Sequence, residues 1–123
     1  MRAHGRITAC GTGGYPNGTF IATPGDGLIA NHVNNVKQAE RIGDGIYEVE
    51  FEHAMPNAHY TVVCSPEWTS GAAGGGGSAD GRQIYIDRQT SGIPSTTKFR
   101  VRIFETDDNV DPLDQSFYFV VIG

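Results

Sequence analysis

The sequence predicts an all-β protein, a single antiparallel β-sandwich of about seven to eight short strands. Three observations carry this reading. Apolar and polar residues alternate with period two wherever any period is visible, and that period lays successive side chains on opposite faces of a strand. No segment sustains a helical period. The chain has 123 residues, the size of one ordinary domain, and cutting it at its glycine-rich stretch would leave a second piece too small for its own core. Hydrophobic residues at 38%, aromatics at 10% and charged residues at 19% describe a small core filled by aromatic and β-branched side chains rather than a disordered chain.

The first 45 residues are the least regular. GRITAC (5–10) and GTFIA (18–22) read as short strands, and GDGLIANH (25–32) as a turn followed by a strand. NVKQAERI (35–42) suits a helix no better than a strand; the hairpin-type residues Gly43-Asp44-Gly45 that follow favour a strand. IYEVEFEH (46–53) is the clearest element, with Tyr47, Val49 and Phe51 on one face and Glu48, Glu50 and Glu52 on the other. After the turn AMPNA comes HYTVVCS, whose Tyr60, Val62 and Cys64 should face inward, and the two strands read as a hairpin.

RQIYIDR (82–88), TKFRVRIFE (97–105) and SFYFVVI (116–122) repeat the alternation between turn-forming residues. In the last, Phe117, Phe119 and Val121 alternate with Tyr118, Val120 and Ile122, so both faces are apolar. A strand apolar on both sides needs cover on both sides. The core covers one; a neighbouring copy of the chain is the simplest cover for Tyr118, Val120 and Ile122.

The formal net charge is −5 and the nine basic residues are scattered, which argues against a phosphate-backbone footprint, so no nucleic-acid partner is expected. No apolar run approaches the roughly 18 residues of a membrane span, and MRAHGRITACG lacks the hydrophobic stretch of a secretion signal. The expectation is a chain made and folded in a cytoplasm, without a membrane partner. Cys10 and Cys64 form no metal spacing and no CxxC motif, and read as small buried thiols.

Chemistry-bearing motifs are weak. DDNVD (107–111) opens like a calcium loop, but Pro112 stands where the sharp turn needs glycine and the distal glutamate is missing. It reads as a solvated hairpin turn. His4, His32, His53 and His59 show no i, i+2 or i, i+4 ligand pair; His53 and His59 flank the AMPNA turn, and a metal there would need a ligand from another subunit. Glu48, Glu50 and Glu52 run along one strand as a solvated face, opposite Arg100 and Arg102, rather than facing each other across a groove as glycoside hydrolysis requires. No nucleophile elbow or Ser-His-Asp order is present. The expectation is a non-enzymatic protein with no catalytic residues, no metal and no cofactor.

GDGIYEVEFEHAMPNAHYTVVCS, followed about 30 residues later by TTKFRVRIFETDDNVDPLDQSFYFVVIG, resembles the small C-terminal β-sandwich domain of bacteriophage tail fibres. The matching positions are Gly45, Tyr47, Val49, Phe51, Met55, Pro56, Tyr60, Val62, Phe99, Val101, Asp114, Phe117, Phe119, Val121 and Gly123, and HGRITACGTG is similar to that domain's opening strand. The resemblance covers almost the whole chain. It implies a homotrimer on the outside of a phage particle, with loops that touch a host surface glycan or protein. Those fibres carry a long N-terminal shaft, whereas this sequence reaches the sandwich within about five residues of Met1. The expectation is therefore a subunit that docks directly onto other virion proteins, assembled in the host cytoplasm and displayed on the virion surface.

SGAAGGGGSADG (70–81) lacks the Lys-Ser/Thr of a phosphate loop and has no helix after it. It reads as a long insertion between two strands, with Trp68 before it and Tyr85 after it. Aromatic rings stack on the apolar faces of sugars, and loops on a rigid scaffold are where binding groups gather. Glu67, Trp68, Asp80, Arg82 and Tyr85 form the candidate receptor-contact patch; the competing reading makes Trp68 core or trimer-interface packing. Titration of the denatured protein with a thiol reagent is expected to count both cysteines as free, and a count of none would overturn the reduced-thiol reading.

Overall fold

The computed structural model describes residues 2–7, 18–21, 33–66, 82–105, 112 and 116–123, and for 18–21, 82 and 105 the backbone alone. Every regular element among them is a strand: β1 (Ala3–Ile7), β2 (Gly18–Ile21), β3 (Val36–Gly43), β4 (Ile46–Phe51), β5 (Thr61–Pro66), β6 (Arg82–Ile86), β7 (Lys98–Glu105) and β8 (Phe117–Ile122). They form two antiparallel sheets, one of three strands in the order β1-β8-β5 and one of five in the order β2-β3-β4-β7-β6. The all-β sandwich is as the alternation predicts. The segments 25–32, 70–81 and 107–111, with Cys10 and His32, lie outside the described residues.

The clean alternation of β4 translates directly into burial. Tyr47, Val49 and Phe51 are buried, while Glu48 and Glu50 point to the outer face. Opposite them β7 buries Phe99, Val101 and Ile103 and sends Arg100 and Arg102 outward, with Val49 facing Phe99 and Glu48 facing Arg100 in register. The outward charges satisfy one another while the inward faces stack against the second sheet, whose β8 contributes Phe117, Phe119 and Val121.

The poor pattern of β3 has a specific cause. Val36 faces Phe51 and Gln38 faces Glu50, so Lys37 is an extra residue; a second register shift between Arg41 and Gly43 makes Ile42 another. Each bulge reverses which residues face inward. The buried set is therefore Val36, Ala39 and Arg41, a spacing that mimics neither period. Arg41 reaches out of its buried position to Asp44 in the following turn, 2.6 Å from Nη2 to Oδ1. Gly45 closes that turn at φ 68°, a conformation that glycine adopts without steric cost.

The expected hairpin across AMPNA does not form. β4 is already flanked by β3 and β7, and β5 pairs with β8 in the other sheet. The segment 52–60 is a crossover from one layer to the other. Both strands turn inward the faces that alternation assigns: Tyr60 is buried, and Val62 and Cys64 are partly buried against the core. Two strands stacked across a core show the same alternation as two paired side by side, which is why the pattern misleads here. Asn57 does make the local turn, accepting at Oδ1 from His59 N at 2.7 Å, and Met55 is buried with its N–H donating to Thr96 O at 2.7 Å. The start of the crossover is fastened by Asn35, at φ 56°: its Oδ1 accepts from His53 N, and its Nδ2 donates to His53 O and Arg2 O.

Aromatic rings bridge the layers. Tyr47 and Phe117 lie 5.8 Å apart, Phe99 and Phe119 5.2 Å, and Phe51 meets both Phe99 at 5.6 Å and Tyr60 at 5.5 Å. Gly5 of β1 sits against this seam. A methyl added there would lie 3.0 Å from Phe119 Cε1 and 3.1 Å from Val33 Cγ1. Gly5→Ala is expected to cost about 1–3 kcal/mol by overpacking; Gly43→Ala, whose methyl would meet only Ile46 Cδ1 at 3.8 Å, is expected to cost much less. Urea denaturation midpoints of the two variants check the contrast.

Candidate functional site

The two outer faces of the sandwich differ in chemistry. On the three-stranded sheet, β8 lies between β1 and β5 and turns Tyr118 and Ile122 outward, 47% and 51% exposed, with Val120 partly covered between them. Val63 of β5 stands directly opposite Val120 and is 54% exposed. The sequence-predicted interface residues Tyr118, Val120 and Ile122 thus share one apolar face, which Val63 extends. That residue was missed because only the inward members of HYTVVCS were weighed. The second valine of a VV pair must face the other way, and that is the signal available. Arg6 of β1, opposite Tyr118 in register, holds its guanidinium carbon 5.9 Å from the Tyr118 ring centroid and rims the face with positive charge.

The outer face of the five-stranded sheet carries charge and one aromatic pair. Glu48 takes Arg100 at 2.8 Å and Lys98 at 3.4 Å, realising the expected pairing of the acidic strand with Arg100. Arg102 does not join it. It lies opposite Tyr85 of β6 on one side and Ile46 on the other, and its Nε donates to Asp87 Oδ2 at 3.0 Å.

Asp87, whose side chain is only 3% exposed, organises the loop after β6. Oδ1 accepts from the backbone N–H groups of Gln89 and Thr90, and Oδ2 from the Thr90 hydroxyl and Arg102. Burial acts to raise this carboxyl, but the hydrogen bonds from Thr90, Arg102 and Gln89 outweigh it and hold Asp87 well below the usual carboxylate range. The result is a carboxylate, ionised at neutral pH, that fixes both a loop and a guanidinium.

Above this scaffold lies an open groove of about 580 Å³ lined by Tyr85, Asp87, Arg88, Gln89, Thr90, Arg102 and Phe104 among others. Tyr85 is 51% exposed and packs edge to face against Phe104, with ring centroids 6.0 Å apart, while its hydroxyl hydrogen-bonds Gln83 Oε1. Of the candidate receptor-contact residues, Tyr85 is the one whose side chain the structure places, at the mouth of this groove. Arg82 begins the same strand, opposite Glu105, and Glu67, Trp68 and Asp80 lie outside the described residues. Sequence reasoning missed Asp87, Arg102 and Phe104 as site residues. Phe104 was detectable, since it is an aromatic on the face that its strand otherwise fills with arginines.

Among the described residues, Cys64 and Tyr60 are titratable groups held against the core. Burial pushes the Cys64 thiol up to about 12, so it stays protonated and a poor nucleophile near neutral pH. Burial likewise raises Tyr60 to about 12, against the opposing pull of Arg88, and the Tyr60 hydroxyl lies 2.7 Å from Ser95 O and 3.0 Å from Lys98 O, tying the crossover to the β7 approach. His53 and His59 are exposed on the crossover, while the backbone of His4 bridges to Asn34.

No protein-family model, curated protein or solved structure matches the chain.

The depressed Asp87 sets a pH signature. The stabilisation it contributes is present above its unfolded pKa of roughly 4 and is lost as pH falls through the lower folded value. Asp87→Asn is expected to melt well below the wild type at pH 7, with the gap narrowing as pH drops from about 4 toward 2. Melting curves of both proteins across that range check the sign.

Proposed function

We propose that this chain is a non-enzymatic virion protein of a bacteriophage, a homotrimeric β-sandwich displayed on the particle surface that docks onto other virion proteins and contributes to host attachment. The observation that carries the reading is the double use of β8. Its inward side fills the core with Phe117, Phe119 and Val121, and its outward side, with Val63, leaves Tyr118 and Ile122 about half exposed. A tyrosine flanked by aliphatic side chains and rimmed by arginine has the composition of the buried centre of a subunit interface. The resemblance to tail-fibre sandwiches supplies the threefold arrangement and the particle context. The opposite face, charged and grooved, then points away from the assembly toward the host.

A second reading, a decoration or tail-joint subunit that binds no receptor, draws on a specific observation. Most of the positions that carry the resemblance, among them Tyr47, Val49, Phe51, Met55, Tyr60, Phe99, Val101, Phe117, Phe119 and Val121, are buried, while Pro56 and Gly123 are exposed. They speak for the fold rather than for any contact with a host.

Light scattering at micromolar concentration is expected to give three times the chain mass for the wild type. Tyr118→Asp with Ile122→Asp, both on exposed positions, is expected to give the monomer with an unchanged β-type circular dichroism spectrum. A monomeric wild type would overturn the architecture. Antibody labelling of intact particles separates the two readings, because tail or spike tips indicate attachment and a regular array over the capsid indicates decoration.

A further inference from the structure

We infer that the groove between Tyr85, Arg102 and Phe104 is a binding site for a carboxylate-bearing saccharide; the inference rests on the attachment reading for its biological setting and on the groove for its chemistry. Tyr85 and Arg102 stand directly opposite one another on adjacent strands, and Phe104 follows two residues along the same face. Phe104 meets the Tyr85 ring edge to face, and the half-exposed Tyr85 ring is an apolar platform of the kind on which a sugar ring packs its C–H face.

Arg102 supplies the charge recognition. Its Nε is engaged by Asp87, and among the described residues its two terminal amino nitrogens carry no hydrogen bond. The side chain is 38% exposed, so a guanidinium anchored at one end offers its planar fork to the groove. That fork matches a carboxylate in two parallel hydrogen bonds, and its anchoring means little conformational freedom is lost on binding. Of the two cations in the lining, Arg88 donates from Nη2 to Tyr60 O at 3.5 Å, which leaves Arg102, beside the buried carboxylate of Asp87, as the charge that faces the groove.

The geometry favours a carboxylate over a phosphate. The backbone N–H groups of Gln89 and Thr90, which would form an anion-binding nest, donate instead to Asp87 Oδ1. One fork remains, suited to a single negative charge. Gln83, at the outer edge, is an exposed amide within reach of sugar hydroxyls beside the Tyr85 ring.

The test is calorimetric titration of the purified protein with a panel of oligosaccharides containing glucuronate or sialate, with the carboxyl-reduced form of each, with an Asp/Glu peptide of equal charge, and with inorganic phosphate. At least one acidic oligosaccharide is expected to bind about tenfold tighter than its reduced form, the peptide and phosphate. Arg102→Gln is expected to lose that preference. Because this substitution also removes a partner of buried Asp87, Tyr85→Ala provides the second variant: its side chain is half exposed, its melting temperature should fall by no more than a few degrees, and its affinity should fall about tenfold. No binding to any panel member, equal binding of the reduced sugars, tighter binding of the peptide or phosphate, or full affinity in Tyr85→Ala overturns the site. Host-cell binding is measured separately. If labelled wild-type protein binds cells and Tyr85→Ala binds equally well, this site falls while attachment stands; if acidic saccharides bind and cells do not, the attachment reading falls alone.

Discussion

The aromatic seam between the two sheets is the contact on which the remaining structure depends. Tyr47, Phe51 and Phe99 from the larger sheet interlock with Phe117, Phe119 and Tyr60 from the smaller one and its approach. A three-stranded sheet cannot bury enough surface alone to offset the entropy of ordering its backbone. Large rings supply the most buried apolar area per residue, and their edge-to-face contacts add specificity to a core with little volume. Once the layers are locked, each sheet's outer face is free to vary without disturbing the fold.

The sandwich puts that freedom to two different uses. One outer face is apolar and hangs on β8, a strand buried on its other side by the seam. The other is a network in which carboxylates are held by arginines and a lysine, interrupted by Tyr85 and Phe104. Asp87 links this face to the loop after β6, so the position of Arg102 is set by backbone donors rather than by solvent. Paired strands and a pinned loop give the groove a defined shape.

Strands with strict alternation were legible in the sequence because period two survives any tertiary context. IYEVEFEH, TKFRVRIFE and SFYFVVI bury the residues their patterns assign. What alternation does not encode is which strand lies beside which. The AMPNA turn suggests a hairpin because its residues are turn formers, yet β4 had two neighbours already and the chain passes to the other layer. β3 was ambiguous because two bulges each shift its parity by one residue. The candidate site was legible only through Tyr85. Arg102 and Asp87 are separated by 15 residues, and nothing local announces that register will bring them together.

The place of β8 in the sheet has a consequence for how the chain acquires its structure. It is the central strand of the smaller sheet, and its partners are residues 3–7 and 61–66. Neither edge can pair until this late segment arrives, so β1 and β5 must wait for it with their inward side chains uncovered. Closing loops of such length before any contact rewards them places this topology among the slow folders, on the order of milliseconds to seconds. During synthesis the five-stranded layer can assemble first, and the last strand to emerge completes the core and exposes the apolar outer face at the same moment. That face therefore exists as a continuous surface only once the core behind it is complete.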